Sequence, residues 1–203
     1  MPAEHPSPTR IMLVGPPAVG KMTVGHALAA LTGFPLFHNH HTIDLVLRFF
    51  PFGSAPFQRL VGEFRRRVFE EVAASDLPGL IFTYVWAFDD PRDAAAVDAW
   101  SAIFRARGGR AVVAELEATQ AERLRRNETE FRLAEKPFKR DLAASRARLL
   151  ADDARYQLNS GGVFDDRPDW FRLETTAVAP EVAAERILTR FALPRASAAS
   201  PAT

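Results

Sequence analysis

The run Gly15-Pro16-Pro17-Ala18-Val19-Gly20-Lys21-Met22-Thr23 sets glycines and a lysine at a fixed spacing. It follows a short apolar segment, Arg10 to Val14, and opens a helical pattern, Lys21 to Thr32, closed by Gly33. Strand, glycine turn and helix start in that order aim successive backbone N–H groups and the positive end of a helix at one point. This is a phosphate-binding loop of the Walker A type, with Lys21 a mobile charge for β- and γ-phosphates. Met22 stands where the pattern normally has the Ser or Thr whose hydroxyl holds Mg²⁺. Thr23 is next and is the candidate metal ligand. Gly15, Pro17, Ala18, Val19, Gly20, Lys21, Met22 and Thr23 are therefore the residues expected around ATP and Mg²⁺.

A second group of chemistry-bearing residues follows the next apolar segment, Phe34 to Phe37. His38, His40 and His41 are three of the five histidines, and they fall at the carboxyl edge where open α/β sheets bind ligands. In an extended segment His38 and His40 point to one side. A neutral imidazole there can take a proton near neutral pH, with Asp44 one helical turn beyond His40 to orient it or to act instead. A metal site of His38, His40 and Asp44 is the competing reading, and capping of the following helix or filling of core space is a third. Trp86 and Asp89, after the third strand, are candidates for acceptor recognition. Asp89-Asp90-Pro91 is equally a helix start. The phenylalanine-rich connection Phe49-Phe50-Pro51-Phe52-Gly53, with Phe57 after it, either covers the acceptor or belongs to the core.

The elements that must hold these groups alternate. Strands are expected at Arg10 to Val14, Phe34 to Phe37, Leu80 to Phe88, Ala111 to Leu116 and Trp170 to Leu173. Between them run helices through Ile43 to Leu47, Phe57 to Ala74, Asp93 to Arg107, Thr119 to Leu133, Phe138 to Asp153 and Glu181 to Phe191. In Phe57 to Ala74 the apolar residues recur at three and four, which gives one buried face. Strands returned by helices predict an α/β fold, a parallel sheet covered on both faces.

In the order of its elements and in its motifs the chain resembles the small-molecule P-loop kinases, closest in layout to shikimate kinase, over roughly Arg10 to Leu193. Its lysine followed by Met22 and Thr23 is similar to the adenylate kinase pattern, where Thr stands second after the lysine. The resemblance implies a P-loop three-layer sandwich with a five-stranded parallel sheet and a LID segment. It implies ATP-dependent transfer of the γ-phosphoryl group to a small-molecule hydroxyl. On the stretch Leu116 to Arg126 it implies that Arg126 lies against the adenine, and that Arg132, before Lys136-Pro137, is a phosphate-binding LID arginine. Arg67 with Glu70 echoes the family's shikimate-holding arginine. Two departures speak against shikimate: the family's Asp-x-Asp after strand two is His38-Asn39-His40, and its Gly-rich end of strand three is Tyr84 to Asp90. Antibiotic O-phosphotransferases of this group share the parts with other acceptor pockets, so an antibiotic, aminoglycoside, nucleoside, sugar or aminocyclitol-like hydroxyl is open. Arg123 and Arg125 read as a solvated helix face with Glu122, Glu128 and Glu130.

Composition bounds the rest. At 203 residues and 47% hydrophobic content one domain is expected, 1–193, with a disordered Pro, Ala and Ser tail at 194–203. Basic and acidic residues, 26 and 25, nearly cancel, and no basic stripe suits a nucleic-acid-binding ATPase. No partner of nucleic acid or membrane is expected. The absence of cysteine and of a signal-like segment from Met1 to Thr9 predicts a cytoplasmic protein. A nucleotide-binding regulator or switch is the alternative, favoured by the missing P-loop hydroxyl and the missing paired Asp.

Overall fold

A computed structural model describes residues 7–128 and 142–196. Strands β1 (Thr9–Val14), β2 (Leu36–Phe37), β3 (Gly79–Thr83), β4 (Arg110–Glu117) and β5 (Trp170–Glu174) form one sheet in the order β2-β3-β1-β4-β5. All neighbours run parallel, in the register Ile11 beside Ile81 and Val112. The helices are α1 (Lys21–Thr32), α2 (Asn39–Val46), α3 (Ala55–Ala74), α4 (Pro91–Arg105), α5 (Gln120–Asn127), α6 (Leu142–Arg155) and α7 (Pro180–Phe191).

Alternation along the strands divides the core into two layers. Ile11, Leu13, Ile81, Val112, Ala114 and Leu116 face α1 and α7, meeting Val24, Leu28, Ile187 and Phe191. Met12, Val14, Leu80, Phe82 and Val113 face α3 and α4, meeting Phe69, Val72, Val97, Trp100 and Phe104. Strands buried on both faces in this way read as continuous apolar runs, which is why their helix-separated spacing was legible.

Three expectations shift. The second strand is confined to Leu36–Phe37, at one sheet edge. The third stops at Thr83 rather than running to Phe88, because Asp93 draws the exit segment away from the ladder: its carboxylate accepts from Tyr84 Oη at 2.7 Å and from the Ala87 amide at 2.8 Å. The fourth helix starts at Pro91, capped by Asp90, rather than at Asp93. At the far end the described chain continues past Leu193 along the surface. Ala196 N–H donates to Leu31 O, and Arg195 pairs with Glu185. Residues 197–203 lie outside the described residues, as does the expected LID at 129–141. At the β5 edge Arg172 pairs with Asp165 and Glu117. Among the described residues no helix is long and apolar enough to cross a membrane.

Candidate active site

The loop after β1 is shaped by three left-handed residues, Gly15 at φ 130°, Ala18 at φ 65° and Gly20 at φ 107°. A Cβ on Gly15 would sit 2.3 Å from Leu116 O, so only glycine lets the loop pass the end of β4. Gly20 caps α1 without any side-chain hydrogen bond, and no acidic residue lies in the first turn. The N-terminal amides of α1 are thereby left to an anion, whereas α2, α3, α4 and α5 are capped by His38, Ser54, Asp90 and Thr119. Lys21 Nζ donates to Gly15 O and, at 2.7 Å, to Pro16 O, so its charge lies across the loop's mouth. Thr23 Oγ1 donates to Gly20 O at 2.9 Å. Pro17, Val19 and Met22 complete the turn, with Val19 fully buried. The cradle fits a polyphosphate.

Arg126 ties this loop to the start of the last crossover. Its Nη1 donates to Val19 O at 2.8 Å, its Nη2 to Thr175 O at 2.6 Å and Thr176 O at 3.2 Å, and its Nε to Glu122 at 2.8 Å. Hydrogen bonds from Arg125 and Arg126 overcome the opposing effect of desolvation and hold the Glu122 carboxyl down to about 2. Arg125 is the solvated residue expected. Arg123 is not. It is 6% exposed, forms a bidentate pair with Asp153 of α6 and reaches Pro17 O at 3.4 Å. Periodicity within a short charged helix gave no sign of α6 packing onto that side.

On the other side of β1, His38 Nδ1 accepts from the His40 amide at 3.1 Å and so caps α2. Because α2 already begins at Asn39, His38 and His40 are not in an extended run, yet their rings stack at 5.3 Å. His40 Nδ1 and Asp44 Oδ1 are 3.1 Å apart, with both side chains about a third exposed or less. In the tautomer that carries its proton on Nδ1 the ring donates to Asp44, and Nε2 is then its acceptor nitrogen. Asn39 N–H donates to Thr83 Oγ1 at 3.1 Å, which fixes the start of α2 to the end of β3.

The arginine that reaches this edge from α3 is Arg65. Its Nε donates to Thr42 Oγ1 at 3.1 Å and its Nη2 to Asn39 Oδ1 at 2.5 Å, and its guanidinium lies 5.8 Å from the Phe82 and Tyr84 rings. Burial lowers its pKa to about 10, against the pull of Tyr84 and Asp93. Burial and then Asp93 push the Tyr84 hydroxyl well above its ordinary range. Arg67 instead projects from the outer face of α3 into pairs with Glu70 and Glu71. The sequence carried a usable signal, since Val61, Arg65 and Phe69 share one face at intervals of four.

Trp86 is buried and stacks on Phe88 at 4.6 Å, with Trp170 edge-on at 5.8 Å. Its Nε1 has no hydrogen-bond partner among the described residues. Asp89 accepts from the Gln157 amide at 3.1 Å. Glu115, within β4, is fully buried and was not singled out from the sequence. It accepts from Ser160 N and Oγ, both at 2.6 Å, from Asn159 Nδ2 at 3.0 Å and from Trp170 Nε1 at 3.1 Å. These bonds, with Asn159 Nδ2 to Leu116 O at 3.4 Å, fix Asn159 and Ser160 at the end of β4. No cluster of three or more His, Cys, Asp or Glu suited to a metal occurs among the described residues. Arg132 and Lys136 lie outside them.

No family model matches the chain, and no curated protein does. Solved structures match it over nearly its whole length. The Mycobacterium tuberculosis APS kinase in complex with AMPPNP and APS has a TM-score of 0.60 at 14% identity, covering 92% of this chain and 99% of that one. A gluconokinase from Sinorhizobium meliloti has a TM-score of 0.54 at 13% identity, covering 93% of each chain. Shikimate kinase from Acinetobacter baumannii in complex with shikimate has a TM-score of 0.51 at 18% identity, covering 91% of this chain and 93% of that one. The neighbours are shikimate kinase-like P-loop kinases, and the five-stranded parallel α/β fold is theirs.

Proposed function

We propose that this chain is an ATP-dependent phosphotransferase that moves the γ-phosphoryl group to a hydroxyl of a small molecule. The observation that carries the reading is the pairing of two sites on one sheet edge. A glycine-shaped anion cradle with Lys21 closes β1, and the His40 and Asp44 pair follows β2. The fold's likeness to kinases supports it.

In this reading Lys21 and the α1 amides hold the β- and γ-phosphates, and Arg126 lies beside the base. His40 Nε2 takes the acceptor's proton while Asp44 holds the ring through Nδ1. Arg132 supplies charge to the transferring group from the LID. Mg²⁺, when bound, neutralises developing charge on the phosphate oxygens. Thr23 is the one hydroxyl of the loop that could serve it, with phosphates and water as the other donors. His38 and Arg65 hold the acceptor side in shape through the start of α2, and Trp86 and Asp89, on the segment after β3, are the further candidates for acceptor recognition. A cytoplasmic setting suits a chain without cysteine.

The alternative is a nucleotide-binding regulator, which Met22 in place of the hydroxyl favours. One experiment separates the two. ADP release is measured with ATP and Mg²⁺ over a panel of hydroxylated metabolites and antibiotics. Acceptor-dependent release supports the transferase, and nucleotide binding without it at any acceptor supports the regulator.

A further inference from the structure

The loop between β1 and α1 has few amides. Pro16 and Pro17 carry no N–H, so the backbone donors that can face an anion begin at Ala18. What the loop presents is then decided by how the next peptide planes are turned. In a trans peptide, the form of every bond among the described residues, the C=O of one residue and the N–H of the next point opposite ways. A carbonyl pinned on one side therefore aims the following amide to the other.

Two arginines of α5 pin the loop in this way from outside. Arg123 Nη1 donates to Pro17 O at 3.4 Å and so turns the Ala18 N–H away from α5, and Arg126 Nη1 donates to Val19 O at 2.8 Å and does the same for Gly20. Ala18 sits at φ 65°, a region that an alanine seldom takes without support from its surroundings. The other donors of Arg126 are engaged as well. Nε donates to Glu122 at 2.8 Å, Nη1 also meets Thr175 Oγ1 at 3.4 Å, and Nη2 donates to Thr175 O at 2.6 Å and Thr176 O at 3.2 Å. The edge of the guanidinium is committed to the protein, and it braces the loop against the turn between β5 and α7. A Cβ on Gly20 would lie 3.5 Å from Arg126 Nη1, so brace and loop are in direct contact.

We infer that Arg126, assisted by Arg123, is a positioning residue of this loop: held toward α5, the Val19 and Pro17 carbonyls leave the Gly20 and Ala18 amides to a polyphosphate. The effect of Arg126 on a nucleotide then passes through the phosphates, over and above any contact with the base. This role rests on the phosphate-cradle half of the transferase reading and on nothing about the acceptor.

A ligand without a base tests it. Isothermal titration of the full chain with Mg²⁺ uses inorganic tripolyphosphate and the nonhydrolysable analogue AMPPNP, on wild type, Arg126→Ala and Arg126→Lys, each shown by circular dichroism to be folded well above the titration temperature. Arg126→Ala should bind tripolyphosphate about tenfold more weakly, the scale of one charge-assisted hydrogen bond, and AMPPNP at least as much more weakly. Arg126→Lys keeps the charge, but its single nitrogen cannot bridge Val19 O and Thr175 O as the fork does, so both affinities should stay at least about threefold below wild type. The lysine variant carries the test alone if the alanine variant does not fold. Tripolyphosphate affinity within about twofold of wild type in Arg126→Ala overturns the inference, because Arg126 would then serve the base or stability only. Full recovery of both affinities by Arg126→Lys overturns it too, since charge at a distance would suffice. A wild-type chain that binds neither ligand removes the cradle reading and this role with it, whereas failure of the role alone leaves both wild-type affinities intact.

Discussion

Arg123 of α5 and Asp153 of α6 face each other in a bidentate pair at 3.0 and 2.5 Å, and the same guanidinium reaches the carbonyl of Pro17 in the loop between β1 and α1. Burial opposes ionisation of Asp153, but hydrogen bonds from Arg123 and Gln120 hold its carboxyl below the usual range. Removing one partner of such a pair leaves the other charge poorly compensated. Arg123→Ala is expected to lower stability by about 3 kcal/mol in chemical denaturation. It should also weaken binding of a nonhydrolysable ATP analogue. A stability change within about 0.5 kcal/mol would mean the pair carries little.

Lys21→Ala should leave the fold intact, because the bonds described for it, to Gly15 O and Pro16 O, lie at the loop's mouth and not in the core. Turnover should fall at least about 100-fold, the scale for loss of one preorganised charge at a transition state. Turnover equal to wild type in an ADP-release assay would remove the transferase reading.

His40→Ala should lower kcat more than it weakens ATP binding, by about 100-fold, and more than His41→Ala does. Asp44→Asn keeps the size but alters the partner of Nδ1 at 3.1 Å, so its kcat should fall with nucleotide affinity unchanged. If transfer passes through a loose transition state, positioning dominates and the two losses converge. Equal kcat for wild type and both variants would assign the base elsewhere, with Asp89 the next residue to test.

Arg65 and Arg67 should behave oppositely although they are two residues apart. Arg65→Ala strands Asn39 and Thr42 in a buried network and should cost about 2 kcal/mol of stability. Arg67→Ala removes exposed pairs to Glu70 and Glu71 and should change stability by less than about 0.5 kcal/mol. Similar losses for both would contradict the burial of Arg65.

Arg10 is fully buried with one hydrogen bond, to Ser101 at 2.8 Å, and its Nε and Nη1 have no partner among the described residues. Burial, with Arg105 adding to it, brings its pKa down to about 9. Arg10→Met should therefore raise stability, by about 1 kcal/mol at neutral pH. The folded chain releases this proton before the unfolded chain does, so the penalty is complete below about pH 9 and shrinks as pH rises beyond it. The advantage of the methionine should shrink likewise in denaturation measured from pH 7 to 10. A less stable methionine variant would mean the guanidinium is better served than its neighbours indicate.

The turn between β1 and α1 was legible because it is local: glycines, lysine and helix start are adjacent in the chain. The sheet was legible because buried parallel strands are mostly apolar. What periodicity could not supply were partners distant in sequence. Glu115 looked like one polar residue in a strand, and its four donors come from Asn159, Ser160 and Trp170. Tyr84 to Phe88 has strand composition, but the competing acceptor that ends β3 is Asp93. Arg67 with Glu70 was singled out as an echo of a family motif and Arg65 was not singled out, whereas burial on α3 follows the face that Arg65 shares with Val61 and Phe69.

The sheet's two ends bear on how the chain behaves when crowded. An unpaired strand edge is a template on which another molecule's strand can grow. Among the described residues one edge is Leu36–Phe37, too short to seed a lasting ladder, and the other, β5, carries the exposed Arg172 and Glu174 on either side of the buried Leu173. A strand laid against β5 must desolvate those charges. Concentrated solutions of the chain should therefore resist edge-to-edge polymerisation, and neutralising Arg172 and Glu174 together is where fibrils would first find a foothold.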